Sequence, residues 1–137
     1  MNRIHLAGLL CLLTLVFIGA MLPRTGVQGD ALSYKNDVQP ILQKYCLPCH
    51  AEENFNKSEL SLDSYELLMK GGKHGDAVVA GDPGKSTLIQ KLAETPPFGD
   101  RMPFYSKRKQ KTTPPVYLSD DEVKILSNWI SQGARDN

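Results

Sequence analysis

Apolar positions along the chain fall into four helical patterns, and no stretch makes a convincing strand. The first pattern runs from about Asp37 to Cys46, where Val38, Ile41, Leu42 and Tyr45 recur at helical spacing. Asp37 stands at its start as a cap. Pro40 lies in its first turn, where a missing N–H is tolerated. A short second helix is expected from about Asp63 to Lys70, stopped by Gly71-Gly72. A third is expected to open at Asp82-Pro83, to turn Leu88, Ile89 and Leu92 inward, and to end before Pro96-Pro97. The last opens at Ser119, and Glu122 three residues on completes a capping box. Val123, Leu126, Trp129 and Ile130 form its buried stripe, and Gly133 ends it. Between the last two helices lies a proline-rich loop, about Thr95 to Leu118, carrying Lys107-Arg108-Lys109-Gln110-Lys111. Loops that long are usually functional or mobile. The chain has no internal repeat, and its patterning predicts an all-α domain.

Ahead of these patterns stands an apolar run from Leu6 to Leu22, behind Arg3. Residues 1–29 read as a signal peptide or N-terminal membrane anchor. Val27 and Gly29 fit a cleavage site, and Ile18 with Ala20 offers another. The run is at the lower limit for spanning a bilayer. An uncleaved anchor is therefore allowed, but the small residues that follow the run favour cleavage, and membrane contact is expected only through residues 6–22, if the leader is retained. Leu10 ahead of Cys11 does not suit a lipoprotein site. The expectation is a periplasmic or otherwise exported protein whose single domain is 30–137. Losing Arg3 and Arg24 leaves 14 basic residues against 15 acidic ones, which gives no reason to expect nucleic-acid binding. A core drawn from about 105 residues is marginal alone, and a buried cofactor would add apolar contact.

Cys46-Leu47-Pro48-Cys49-His50 has the C-x-x-C-H spacing of covalent haem c attachment. Two thiols must reach two vinyl groups on one porphyrin edge, and the adjacent imidazole must come to lie under the iron. Three other readings compete. A thioredoxin-like thiol pair usually follows a strand, whereas this motif ends a helix. Tetrahedral zinc needs four ligands, and His74 is the only further soft ligand to add. A Cys46–Cys49 disulfide would suit an oxidising compartment and leave a haem-free interaction module. The second axial ligand decides what such a haem does. Met69 sits beside Leu67 and Leu68, where core packing explains it. Met102, in Arg101-Met102-Pro103, lies in an irregular loop able to fold across the ring. His74, in Gly71-Gly72-Lys73-His74-Gly75, is the other choice, or a plain turn residue. Gly81-Asp82-Pro83-Gly84-Lys85-Ser86-Thr87 looks like a phosphate-binding loop. However, Val79 stands where that pattern needs glycine, and Pro83 removes an N–H, so nucleotide binding is rejected.

Several segments together resemble the planctomycete-type cytochrome c domain. They are Asp37-Val38-Gln39-Pro40-Ile41-Leu42 leading into the Cys46–His50 motif; Leu60 to Tyr65 with Gly71-Gly72; and Ala80-Gly81-Asp82-Pro83 with Ser86 and Leu88. Arg101-Met102-Pro103 follows, then Leu118 to Glu122 with Trp129 to Ala134. The resemblance implies a class I cytochrome c-like fold, about four helices around one haem, with first and last helices crossing. It also implies Met102 as the distal iron ligand opposite His50, with one covalent haem c on Cys46 and Cys49. The stretch from Pro103 to Leu118 departs from the family in being longer and more basic.

The function expected is transfer of single electrons between exported or membrane-bound redox partners. The alternative is an open distal site acting on peroxide or sensing a gas. Leu47, Pro48 and Trp129 are expected to line or back the haem pocket, and Val78, Val79 and Phe98 to join them. The basic run Lys107–Lys111 is expected either to steer an acidic partner or simply to be a solvated loop.

Overall fold

The computed structural model describes residues 31–137 except positions 48 and 55. The leader expected over 1–29, and the placing of Pro48 in the pocket wall, lie outside the described residues. Everything regular among the described residues is helical. The one β-type contact there is an isolated bridge between Gly72 and Gly75.

The first helix starts earlier than its apolar pattern suggests. Ser33 caps it: its hydroxyl accepts from the Asn36 N–H, and its own N–H donates to Asp37 Oδ2 at 2.7 Å. Asp37, expected as the cap, thus acts from inside the helix. A π-helical stretch, Tyr34–Val38, runs directly into α1, Gln39–Tyr45. Pro40 accounts for the wide turn. It has no N–H for the carbonyl four residues back, and its ring crowds that carbonyl. The Val38 and Gln39 N–H groups reach five residues back instead, to Ser33 O and Tyr34 O.

Helix α2, Tyr65–Lys70, is capped by the Ser64 hydroxyl, which accepts from Leu67 N–H, and it stops at Gly71. Helix α3 is shorter than expected, Thr87–Gln90. Asp82-Pro83 does not open it but folds into a turn, because Asp82 Oδ1 captures the Lys85 N–H at 3.0 Å. The fully buried Ser86 hydroxyl secures that turn, accepting from Val79 N–H and donating to Asp82 O, both at 2.9 Å. The long loop contains one further helical turn, α4, Lys107–Gln110, capped by Ser106. Helix α5, Asp120–Ser131, begins with the expected Ser119–Glu122 capping box, and Gly133 follows it with φ +102°.

Helix α5 packs against the Tyr34–Val38 segment and α3. Leu126, Trp129 and Ile130 are buried along it. Trp129 meets Tyr34 at 5.7 Å and Tyr65 at 6.4 Å between ring centroids, and its ring N–H donates to Arg135 O. At the other end, Glu122 takes Tyr45 O–H at 2.8 Å and Lys44 Nζ at 3.0 Å. The first and last helices therefore pack against each other, with the start of each near the end of the other. No helix among the described residues is long and apolar enough to cross a membrane.

Glu122 is held down to about 2, chiefly by the Ser119 N–H and with help from Tyr45 and Lys44, against the opposing effect of burial. In the unfolded chain the same group ionises near 4.5. A depressed folded value means its stabilisation is complete above about pH 4.5 and is lost as pH falls toward 2. Glu122→Gln should therefore unfold at lower denaturant than the parent protein at pH 7, with the gap closing as the pH approaches 2. Urea titrations at pH 7, 4 and 2.5 measure that convergence.

Candidate functional site

Helix α1 ends where the thiol motif begins, with Cys46 at its C-cap. Cys46 and Leu47 N–H groups both donate to Leu42 O, and His50 N–H turns back to Cys46 O at 3.0 Å. The motif is thus one closed turn. Beside it opens a mostly apolar cavity of about 990 Å³, lined by Cys46, Cys49 and His50. Leu60, Leu62, Leu88 and Leu92 supply apolar wall, and Met102 and His74 face the same space.

His50 is tethered twice by one strand of chain. Its carbonyl accepts from Leu62 N–H at 2.8 Å, and its ring Nδ1 lies 3.0 Å from Leu60 O. A carbonyl can only accept, so Nδ1 carries the hydrogen and, in the neutral ring, Nε2 keeps a free lone pair. Asn56 sets the position of Leu60: its Oδ1 accepts from both Leu60 N–H and Ser58 O–H. The turn between them puts Glu59 at φ +52°, an unusual conformation for a residue with a side chain. Behind it lies the Gly71–Gly75 turn, tied on by Lys73 N–H to Ser58 O at 2.7 Å. Gly72 has no room for a Cβ, which would come 2.5 Å from Ser58 O.

Met102 is fixed through the end of α3. Its N–H donates to Lys91 O at 2.7 Å, and the Arg101 side chain donates to Leu92 O at 3.0 Å. Lys91 Nζ donates in turn to Phe98 O at 2.6 Å, closing the loop onto the helix. Arg101 also lies 3.9 Å over the ring of Tyr117, which joins the far end of the insertion to the same point. His74 is exposed, with its ring 5.3 Å from that of Phe98. Met69 packs against the core and does not line the cavity.

Of the other residues expected at the pocket, Phe98 lines it, but Leu47, Val78, Val79 and Trp129 do not. Trp129 packs against Tyr34 and Tyr65, and with Val78 it belongs to the core cluster that shares Leu62, Ala77, Leu88 and Leu92 with the cavity wall. Sequence patterning missed the Leu60 carbonyl, a main-chain group that leaves no trace in residue type. It also missed Asn56 behind it, and Lys57, Lys91, Phe104, Tyr105 and Lys109 in the wall.

Burial pushes the Cys46 thiol up to about 12, with Cys49 adding to the effect, so it remains S–H at neutral pH. Burial lowers Lys91, against the pull of Asp100. Cys46 and Cys49 are both free thiols. Among the described residues, no three His, Cys, Asp or Glu side chains gather as a metal-binding group, so nothing there supplies the donors of a tetrahedral zinc site. The residues present do fit a porphyrin. Two thiols, an imidazole with a free Nε2, a thioether and apolar walls surround one space, at the upper end of the usual cofactor-pocket size.

Residues 46–103 match the family model described as planctomycete cytochrome C. Among solved structures, the chain is similar to Kuenenia stuttgartiensis hydrazine synthase, with 23% identity and a TM-score of 0.45. The match covers 75% of this chain and 16% of that one, and a likeness so distant carries no functional weight. No curated protein matches significantly.

Because Gly72 abuts the turn that presents Leu60 O, Gly72→Ala should cost about 1–3 kcal/mol by overpacking. Gly84→Ala, where a Cβ would meet only Asp82 Oδ1 at 3.4 Å, should be nearly neutral. Chemical denaturation of both variants beside the parent protein checks the contrast.

Proposed function

We propose, since residues 46–103 match the planctomycete cytochrome C family model, that this chain is a member of that family, carries one haem c and passes single electrons between exported or membrane-bound redox partners. The family implies covalently bound haem c. The observation that carries the rest of the reading is that Cys46, Cys49, His50 and Met102 all open into one apolar cavity.

Haem c, when bound, supplies one-electron chemistry at its iron. The chain's own residues do the rest. Cys46 and Cys49 offer their S–H groups for addition to the two vinyl groups. His50 presents Nε2, with its ring orientation set by the Nδ1–H bond to Leu60 O. Met102 offers a thioether sulfur, a ligand that raises the reduction potential and closes the iron to small molecules. The leucines of the wall exclude water. A class I-like arrangement is supported by the packing of the first and last helices against each other. The domain proposed is 30–137, and residues 1–29 are proposed as the leader that sends it to the periplasm or beyond. Lys107, Arg108 and Lys111 are exposed and would steer an acidic partner.

Expressed in a host that attaches haem c, the protein should retain a haem stain on a denaturing gel, and Cys46→Ala or Cys49→Ala should weaken it. A colourless product would end this reading. Met102→Ala should lower the reduction potential, abolish the weak far-red sulfur-to-iron band, and let the reduced protein bind carbon monoxide. Rapid carbon monoxide binding by the unmutated protein would favour the open-site alternative instead.

A further inference from the structure

The basic insertion does not simply hang in solvent. Tyr105 and Lys109 from it line the wall of the cavity. Tyr105 O–H donates to Val116 O at 3.1 Å, its ring meets Tyr117 edge-on, and Gln110 Nε2 donates to Tyr105 O at 2.7 Å. Lys109 Nζ lies 5.5 Å from the centre of the Tyr105 ring. The position of Lys109 is therefore tied through Tyr105 and Tyr117 to Arg101, one residue before Met102.

The charge of the wall is lopsided. Lys57, Lys91 and Lys109 line it against a single acid, Asp100. Among the described residues the ion pairs involve Lys44, Lys85 and Lys124, so the three cavity lysines enter none. Lys91 is half-buried while Lys57 and Lys109 stay exposed, so the wall carries a net positive charge that no ion-paired acid offsets. A ligand that is apolar over its face and carries two carboxylates would balance the two excess positive charges. Haem has that composition.

Resting on the reading of the cavity as a haem site, we propose that Lys109 from the insertion and Lys91 from the end of α3 bind the propionate carboxylates of the haem. The stretch in which this chain departs from its family is then a clamp on the cofactor as well as a surface for partners. Ammonium-to-carboxylate hydrogen bonds are charge-assisted and stronger than neutral ones, which suits them to holding a group at a partly desolvated edge.

The test uses the haem-loaded protein and compares Lys109→Gln with Lys107→Gln. Both remove one charge from the same helical turn, but Lys107 does not line the cavity. Lys109→Gln should shift the propionate-bending band in the resonance Raman spectrum and lower the reduction potential. Lys109→Arg should restore both, Lys91→Gln should shift the same band, and Lys107→Gln should leave the band in place. If Lys109→Gln and Lys107→Gln give the same band and the same potential, the assignment is overturned while the haem reading stands. A parent protein with no covalent haem would overturn both.

Discussion

His50 is held by its main chain and its ring at once, and the same short segment does both. Leu62 N–H takes its carbonyl and Leu60 O takes its Nδ1–H. Two bonds from one backbone fix both the height and the rotation of the imidazole. That arrangement requires Leu60 to be immobile, and Asn56, Glu59 and the Gly71–Gly75 turn make it so. The left-handed Glu59 and the crowded Gly72 are local costs whose return is a correctly aimed Nε2. The segment from Asn56 to Leu62, with the Gly71–Gly75 turn behind it, thus supports one nitrogen atom.

The core and the cavity share a wall. Leu62, Leu88, Leu92 and Ala77 belong to the buried core and also line the cavity. The remaining buried residues, centred on Trp129, Tyr34 and Leu126, gather between the first helical segment and α5. The aromatic side of the domain closes on itself, while the leucine side is completed by whatever fills the cavity. Occupation of the cavity and stability of the fold are thereby coupled through the same leucines.

The residues most legible in the sequence were those whose role depends on near neighbours. The Cys46–His50 spacing, the Ser119–Glu122 box and the α5 stripe need only a few adjacent positions to be recognised, and the helical elements follow from such patterns. The errors came where a local signal met a stronger one. Asp37 looked like a cap, but Ser33 takes that place because Pro40 widens the turn behind it. Asp82-Pro83 looked like a helix start, but the Asp82 carboxylate captures Lys85 N–H and delays α3 to Thr87. For Trp129, helical spacing shows that a face is buried without showing against what: it packs on Tyr34 and Tyr65 and does not itself line the cavity. Leu60 O was beyond reach, since a carbonyl is common to every residue. The grouping of Lys57, Lys91 and Lys109 was equally hidden, because it exists only after three separate segments converge.

Changes of length are tolerated where a loop crosses a surface, and the stretch from Pro103 to Leu118 is such a loop. Here the added length returns to the rim of the cavity beside Met102, carrying aromatic rings as well as charge. The distance over which an electron must tunnel, and the solvent reorganisation that accompanies each transfer, both depend on how much of a porphyrin's edge is left uncovered. On the proposed haem reading, the length of this one surface segment sets both quantities while the attachment residues Cys46, Cys49 and His50 stay where they are.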